Sequence, residues 1–212
     1  MKNNEIGYCM FLRAFSLLEM VFVIAMIGIL SVVIIPRMDR DNLCEMAEQV
    51  LAHIRYTQHL AMSDNVYVDT EPTWYQARWH ISFVNGPCGL YYSVGSDRDL
   101  SSSGSFSKEE AACDPLSGGL IYNNNAPCDY RDGWFGGVLL SKKYNITAIT
   151  SSCNTQTIAF DHMGRPYTGV GGGTAISGLM RSDCNYTFTD SLGQQVRITV
   201  TAETGYAFIT YI

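Results

Sequence analysis

The hydrophobic pattern of the chain changes twice, and each part predicts a different element. From Phe15 to Ile35 almost all side chains are apolar, the run contains no proline, and Glu19 is its one charged residue. A helix of this length is about 30 Å long, which matches the hydrocarbon core of a bilayer. A carboxylate inside such a run is costly in lipid, so we expect Glu19 to have a partner and a function.

Beyond Pro36 the apolar residues follow the i, i+3, i+4 spacing of an amphipathic helix. This predicted apolar face consists of Leu43, Met46, Ala47, Val50, Leu51, Ile54 and Ala61. Pro36 removes a helical hydrogen bond and is expected to kink the helix. We therefore predict one helix over residues 15–64, with an apolar half at 15–35 and an amphipathic half at 36–64 that ends near Ser63. His53 and His59 are expected on its surface, and Cys44 is either a small core residue or a disulfide partner.

After residue 64 the pattern consists of short strands and turn residues, which predicts an antiparallel β head over residues 65–212. The predicted strands are Val66–Asp69, Trp74–Val84, Gly89–Val94, Ile146–Thr150, Thr157–Phe160, Tyr186–Thr189, Gln195–Thr201 and Tyr206–Ile212. In the second of these strands Trp79, Ile81 and Phe83 alternate and are expected to face the core. A stretch rich in Ser, Asn and Gly at about 95–137 predicts a long irregular insertion, which is typical of a functional or disulfide-held loop.

Charge and cysteine content limit the compartments and the binding partners that are possible for this protein. The net charge is −6 and the isoelectric point is about 5.1, which argues against general nucleic-acid binding because that requires a basic surface. Cys88, Cys113, Cys128, Cys153 and Cys184 follow the apolar run without the CxxC pairs of a zinc site. They predict an oxidising compartment and at least two disulfides, and free buried thiols are the alternative. We favour a Cys153–Cys184 pair between neighbouring strands, and Cys113 and Cys128 are candidates for holding the insertion.

No motif in the chain is typical of catalysis. The glycines at 169–173 lack the Lys-Ser/Thr of a phosphate loop, and no G-x-S-x-G is present. Asp161-His162 alone does not make a catalytic dyad, so we expect no enzymatic activity and no cofactor. Calcium is the one metal considered, although the chain has no D-x-D-x-D-G loop and solvated loop acids are the alternative. Its candidate ligands are Asp97, Asp99, Asp114, Asp129 and Asp132.

The segment Ala14-Phe15-Ser16-Leu17-Leu18-Glu19 resembles the processing site of the type IV prepilin family, which includes type IV pilins and the pseudopilins of type II secretion. Gly28-Ile29-Leu30 and Ile34-Ile35-Pro36 are also similar to the helix of that family. The family usually has Gly before the cleaved bond, and this chain has Ala14 there. The resemblance implies that residues 1–14 are a leader, that a prepilin peptidase cuts between Ala14 and Phe15, and that the new amine of Phe15 is methylated.

The resemblance also implies a fold, a location and partners. The fold is α+β, with a long N-terminal helix packed on an antiparallel head. Lys2 and Arg13 outnumber Glu5 before the apolar run, which favours a cytoplasmic N-terminus and a periplasmic head. The subunit is then a single-pass protein of the bacterial inner membrane before it enters a pseudopilus or pilus. The implied partners are the prepilin peptidase, other pilin or pseudopilin subunits and the inner-membrane assembly platform, with Glu19 paired to the Phe15 amine of a neighbouring subunit.

A second motif lies in the head at Phe160-Asp161-His162-Met163-Gly164-Arg165-Pro166. Asp161 and Gly164 suit a tight turn, so the segment is predicted to be a hairpin tip. It resembles the F-D-x-x-G-R-P motif of H-class minor pseudopilins and related minor pilins, through Phe160, Asp161, Gly164, Arg165 and Pro166. This resemblance implies two packed sheets and a minor pseudopilin of type II secretion.

The sequence leaves three alternatives to that function. One is a minor pilin of a type IV pilus that serves adhesion or motility. Another is a DNA-uptake minor pilin, which is disfavoured because residues 206–212 contain no arginine and Arg181 and Arg197 stand apart. The third is a membrane-anchored periplasmic enzyme, which would not be cleaved before Phe15.

Overall fold

The computed structural model describes residues 16–64, 66–100, 104–124, 128–170, 174 and 176–212, except for the side chains of residues 32–41. The chain divides into two compact units, residues 1–39 and 40–212. The described chain mixes helix with two antiparallel four-stranded sheets. The predicted mixed class and the two antiparallel sheets are therefore confirmed.

Helix α1 spans Leu17–Ser63, and its helical backbone includes Pro36. Most of the apolar face predicted for its second half is buried, namely Leu43, Met46, Ala47, Val50, Ile54 and Ala61, and Leu51 packs against the same core while partly exposed. The second helix, α2, spans Leu140–Tyr144 and ends at Asn145 in the left-handed conformation, with φ of 58°. The kink at Pro36 stays a prediction.

Among the described residues, eight strands form the two sheets, and each neighbouring pair is antiparallel. They are β1 (His80–Gly86), β2 (Gly89–Gly95), β3 (Ile146–Ser151), β4 (Thr157–Phe160), β5 (Pro166–Thr168), β6 (Cys184–Asp190), β7 (Gln195–Val200) and β8 (Ala207–Tyr211). Sheet I has the order β2-β1-β4-β5, and sheet II has the order β3-β6-β7-β8.

Both sheets and the second half of α1 share one hydrophobic core. Successive side chains of a strand point to opposite faces, so Ile81 and Phe83 of β1 lie on the core side of sheet I. The Phe83 ring contacts the rings of Tyr186 and Phe188 in sheet II, with centroid distances of 5.8 and 5.5 Å. Burying each side chain of this size stabilises the fold by about 1.5–3 kcal/mol. As predicted, Trp79 is buried on this side as well.

The predicted strand Val66–Asp69 is wrong, and the predicted strand Trp74–Val84 is wrong in its first half. Residues 66–68 have no regular structure, and Trp74–Ala77 forms a 3₁₀ turn before β1 begins at His80. The Glu71 N–H donates to the Val68 carbonyl, and the Trp74 N–H donates to the Glu71 carbonyl. These local turn bonds satisfy backbone groups that a sheet partner would otherwise bind, so they override the strand propensity of the side chains.

The described part of the insertion is irregular, as predicted, and is held by backbone bridges and a disulfide. Isolated bridges pair Gly95 with Ala111 and Leu120 with Trp134. A disulfide joins Cys88, in the turn between β1 and β2, to Cys128 over a Cα–Cα distance of 5.0 Å. Cys113, predicted to take part in a disulfide, is an exposed free thiol. Cys88 instead of Cys113 holds the insertion together with Cys128, because Cys88 and Cys128 lie within the distance that a disulfide spans.

The second disulfide joins Cys153 to Cys184 with a Cα–Cα distance of 5.6 Å. Cys153 follows β3 and Cys184 opens β6, and these two strands are neighbours in sheet II. The structure therefore contains the pair that the sequence favours, between the elements it suggested. Cys44 of α1 is a half-buried free thiol.

We predict that removing the Cys153–Cys184 disulfide destabilises the head. The bond closes a loop with a sequence separation of 31, so the double variant Cys153→Ala/Cys184→Ala should lose about 3–4 kcal/mol of unfolding free energy by the loop-entropy relation. Urea unfolding at equilibrium measures this loss. The control is Cys113→Ala, which removes an exposed thiol and should change the unfolding free energy by less than about 0.5 kcal/mol. Equal midpoints for the double variant and the unsubstituted protein would contradict the prediction.

Candidate functional site

The first half of α1 is an exposed apolar surface. Every described side chain from Ser16 to Ser31 is exposed to solvent. The large apolar ones are Leu17, Leu18, Met20, Val21, Phe22, Val23, Ile24, Met26, Ile27, Ile29 and Leu30, with exposed fractions of 47% to 84%. Contiguous apolar surfaces of this extent mark sites of association with another protein or a membrane. We define residues 17–31 as the apolar segment.

Glu19 is the acidic residue in the first turn of α1. Its backbone N–H donates to Ser16 Oγ at 3.2 Å, which is the bond made by a helix-capping serine. A carboxylate in this turn also interacts favourably with the positive end of the helix dipole. The Glu19 side chain is exposed together with its apolar neighbours, so it can reach a cation on another molecule.

Two features of the apolar segment suit close packing in a water-poor environment. Ser31 Oγ donates to the Ile27 carbonyl at 2.7 Å, so its hydroxyl is satisfied within the helix. A Cβ at Gly28 would meet no atom within 4 Å. The missing side chain is thus not required by a contact within the described chain, whereas a small residue allows the backbone of a second helix to approach.

Several residues predicted for this end of the chain lie outside the described part. Ala14 and Phe15, the predicted cleavage and methylation site, lie outside it. The side chains of residues 32–35, the last part of the predicted apolar half, and of Pro36 also lie outside it. Among the described residues, no helix has an apolar stretch long enough to cross a membrane.

The Phe160–Pro166 motif forms the hairpin between β4 and β5, as predicted, and Gly164 has a φ of +78°. The Asp161 carboxylate is buried and accepts four hydrogen bonds. Its Oδ1 accepts the N–H groups of Met163 and Arg165 at 3.0 and 2.9 Å. Its Oδ2 accepts Arg165 Nε–H at 2.8 Å and the Tyr167 hydroxyl at 3.2 Å. These bonds fix the turn, while His162 points to solvent with its side chain exposed.

Hydrogen bonding decides the charge state of this turn. Burial by itself would raise the pKa of Asp161, but the hydrogen bonds from Arg165 and the Met163 N–H outweigh burial and lower the pKa. The same contact with Asp161 raises the pKa of Arg165. The turn therefore contains a charged pair, and both oxygens of the Asp161 carboxylate are hydrogen-bonded.

The motif lies where three parts of the head meet. Gln58 of α1 donates from Nε2 to the Gly164 carbonyl at 2.8 Å and to the Thr204 carbonyl at 2.9 Å. A Cβ added at Gly205 would come within 2.6 Å of the Gly164 carbonyl oxygen. The absence of a side chain at Gly205 therefore lets the hairpin, the loop before β8 and α1 approach one another.

His53 corrects an expectation of the sequence, because it is 2% exposed rather than on the helix surface. His53 Nδ1 lies 2.7 Å from the Tyr92 hydroxyl, and His53 Nε2 lies 3.1 Å from Asp114 Oδ1. Asp114 Oδ2 accepts the N–H and the hydroxyl of Ser117, at 2.7 and 2.6 Å. This buried polar link attaches the insertion to α1. The burial of His53 could have been predicted from helical spacing, since His53 follows Val50 of the buried face by three positions.

The structure separates the five aspartates considered for calcium. Asp97 and Asp99 come together with Glu110, which the sequence did not suggest, and their carboxylate oxygens lie within 4.8 Å of one another. Asp114 is bonded to His53 instead, and Asp129 forms an ion pair with Lys142. Glu110 already accepts the N–H groups of Ser107, Arg98 and Asp99. Calcium binding by the loop aspartates stays a prediction.

Comparisons with protein families, with curated proteins and with solved structures find no match to this chain.

We predict that Asp161→Ala lowers the unfolding free energy by about 2–4 kcal/mol at neutral pH. The substitution leaves buried donors without their acceptor, and the loss of a partner from a charged pair is costly. The folded-state pKa of Asp161 lies below the ordinary value near 3.9. The charged Asp161 carboxylate therefore makes its full contribution to the unfolding free energy at pH values above its ordinary pKa. This contribution disappears as the pH falls through the folded-state pKa.

Urea unfolding of both proteins across a pH series tests this prediction. The difference between the unsubstituted protein and Asp161→Ala should shrink as the pH falls below about 4. His162→Ala is the matched control, because His162 belongs to the same turn and is exposed. A difference that does not change with pH, or an equal loss in the control, would contradict the prediction.

Proposed function

We propose that this chain is a minor pseudopilin of a type II secretion pseudopilus, assembled through its N-terminal helix after cleavage by a prepilin peptidase. The observation that carries the proposal is the apolar segment, in which every described side chain is exposed and Glu19 lies near the start. In this proposal the head contacts other subunits of the filament and catalyses no reaction. The F-D-x-x-G-R-P resemblance of the β4–β5 hairpin supports the assignment to the H class.

The apolar segment cannot remain in water. Each of its large side chains would gain about 1.5–3 kcal/mol from burial, so the segment requires lipid or other helices. Lipid tails are as apolar as the side chains, so moving from a membrane into a filament gains little from the hydrophobic effect. Packing and polar contacts must then determine which helices associate and in which register.

Glu19 is suited to supply that polar contact. A carboxylate within the hydrocarbon core costs about 2.5–3.5 kcal/mol on insertion scales. In the proposed filament, Glu19 pairs with the amine of Phe15 on a neighbouring subunit, which compensates both charges in an apolar surrounding. A buried charge without its partner is strongly destabilising, so one register of the two helices is favoured over others.

A minor pilin of a type IV pilus would use the same helix. The two functions differ in the assembly they serve, a type II secretion system or a type IV pilus, so a deletion phenotype can distinguish them. If the chain belongs to a type II system, deleting it should impair protein secretion and leave pilus-dependent adhesion and twitching intact. The reverse phenotype would favour the type IV pilus. DNA binding at moderate salt in a mobility-shift assay would favour the DNA-uptake alternative.

We predict that the mature protein begins at a methylated Phe15. Mass spectrometry of the protein purified from its own membrane should show the loss of residues 1–14 and the gain of one methyl group. Ala14→Gly is the control, because glycine is the residue usual in the family and should be processed at the same bond. A protein that keeps residues 1–14 would overturn the proposal.

We predict that Glu19→Ala inserts into the membrane and is processed, but fails to enter the filament. The physical reason is the loss of the charge that compensates the neighbouring amine. Co-purification with sheared filaments and complementation of secretion in a deletion strain measure assembly. Glu48→Ala is the matched control, since Glu48 lies on the same helix with an exposed side chain. Normal incorporation of Glu19→Ala would exclude the proposed role of Glu19.

A further inference from the structure

The face of sheet I that points away from the core carries a cleft of about 520 Å³. Its floor includes Ser82 at the centre of β1, which pairs with Ser93 of β2 on one side and with Thr157 of β4 on the other. These positions alternate with the core-facing Ile81 and Phe83, so their side chains belong to the outer face. The volume is within the range of about 300–1,000 Å³ that is usual for ligand sites.

The insertion supplies aromatic walls for the cleft. The ring of Phe106 lies directly over Gly95, because a Cβ added there would collide with it. The same ring contacts His80 with a centroid distance of 5.0 Å. Tyr122 lies next to Phe106 at 6.1 Å and next to Trp134 at 5.4 Å. Phe106 and Tyr122 line the cleft and are partly exposed, so ring surface remains available to a ligand.

The polar groups of the floor are mainly hydroxyls. Ser82 Oγ and Thr157 Oγ1 are 2.9 Å apart. A bond between two hydroxyls uses one hydrogen, so the pair keeps one O–H that can donate to another acceptor, and each oxygen keeps accepting capacity. Tyr91 and Tyr122 add phenolic hydroxyls to the lining. Burial raises the pKa of both tyrosines, so their hydroxyls are protonated and able to donate at neutral pH.

The lining carries no ionised side chain among the described residues. None of the described lining residues is Asp, Glu, Lys or Arg. Burial lowers the pKa of His80 to about 4, so its imidazole is neutral at pH 7. An ionic ligand placed here would lose hydration without gaining a counter-charge. The cleft therefore suits an uncharged ligand.

An extended peptide is a poorer fit than a ligand that offers many hydroxyls. Peptides often bind by adding a strand to an exposed sheet edge. The floor strand β1 is central in sheet I and is paired on both sides, with β2 and with β4. The backbone groups of its floor residues His80 to Ser82 are used by these pairs, so recognition there must come from the side-chain hydroxyls and the ring faces.

We propose that this cleft binds a neutral oligosaccharide, with a sugar ring stacked on Tyr122 and Phe106 and sugar hydroxyls bonded to Ser82 and Thr157. The faces of aromatic rings carry negative potential, which attracts the C–H groups of a sugar ring. Sugar hydroxyls both donate and accept, as the floor hydroxyls do. The proposal concerns the head and does not depend on assembly into a filament.

The test uses the full chain in lauryldimethylamine oxide, because detergents with sugar headgroups would compete for the cleft. Titration with maltohexaose, cellohexaose and chitohexaose is followed by calorimetry and by the fluorescence of the tryptophans, of which Trp134 contacts Tyr122. At least one of these sugars should bind with a Kd below about 1 mM. Hexagalacturonate is the charged comparison and should bind at least tenfold more weakly.

Variants connect the binding to the cleft. Tyr122→Ala should weaken binding of that sugar at least tenfold. Tyr130→Ala removes an exposed tyrosine of the same insertion outside the cleft and should leave the affinity within twofold. Thr157→Val keeps the side-chain shape but removes the hydroxyl, and it should weaken binding at least threefold. Circular dichroism checks that each variant is folded, and Thr157→Val decides the outcome if Tyr122→Ala does not fold.

Three results would overturn the proposal. The first is the absence of binding by all three neutral hexasaccharides. The second is a preference for hexagalacturonate or for an uncharged hexapeptide such as Ser-Thr-Ser-Thr-Ser-Thr. The third is an affinity of Thr157→Val and Tyr122→Ala equal to that of the unsubstituted protein, which would place binding elsewhere.

Discussion

The packing of the second half of α1 against both sheets is the interaction on which the rest of the head depends. Met46, Val50 and Ile54 are completely buried and belong to the same core as the inner faces of the two sheets. Removing one such side chain leaves a cavity and typically costs about 2–5 kcal/mol. The second half of the helix that carries the apolar segment is thus also part of the core of the head.

Polar contacts of α1 specify its position on the head more closely than apolar packing does. Arg55 donates from Nη2 to the Ala207 carbonyl at 2.8 Å, Gln58 bridges the carbonyls of Gly164 and Thr204, and His53 contacts Tyr92 and Asp114. Apolar packing alone tolerates small rotations and shifts of a helix, whereas a buried polar group that loses its partner is destabilising. We interpret these contacts as the feature that selects one register of α1 on the head.

The insertion is fixed at two internal points, which explains how an irregular segment can form a binding wall. On one side Asp114 is bonded to His53 of α1, and on the other Cys128 is bonded to Cys88 at the tip of β1–β2. Such cross-links reduce the conformational freedom of the segment between them. Tyr122 lies between these two anchors, so its ring is held in place before a ligand binds.

Several features could be predicted from the sequence, because they depend on local periodicity and turn chemistry. These are the apolar face of α1, seven of the described strands in outline, the turn at Asp161 and Gly164, and the irregular insertion. The tertiary structure alone decided the partner of Cys128, the burial of His53 with Asp114, and the cleft over Ser82. Cys88 and Cys128 are 40 residues apart, and His53 and Asp114 are 61 residues apart. Spacing along a chain predicts neighbours within an element, but such contacts exist only once the sheets and α1 have packed, because packing determines which distant side chains share a site.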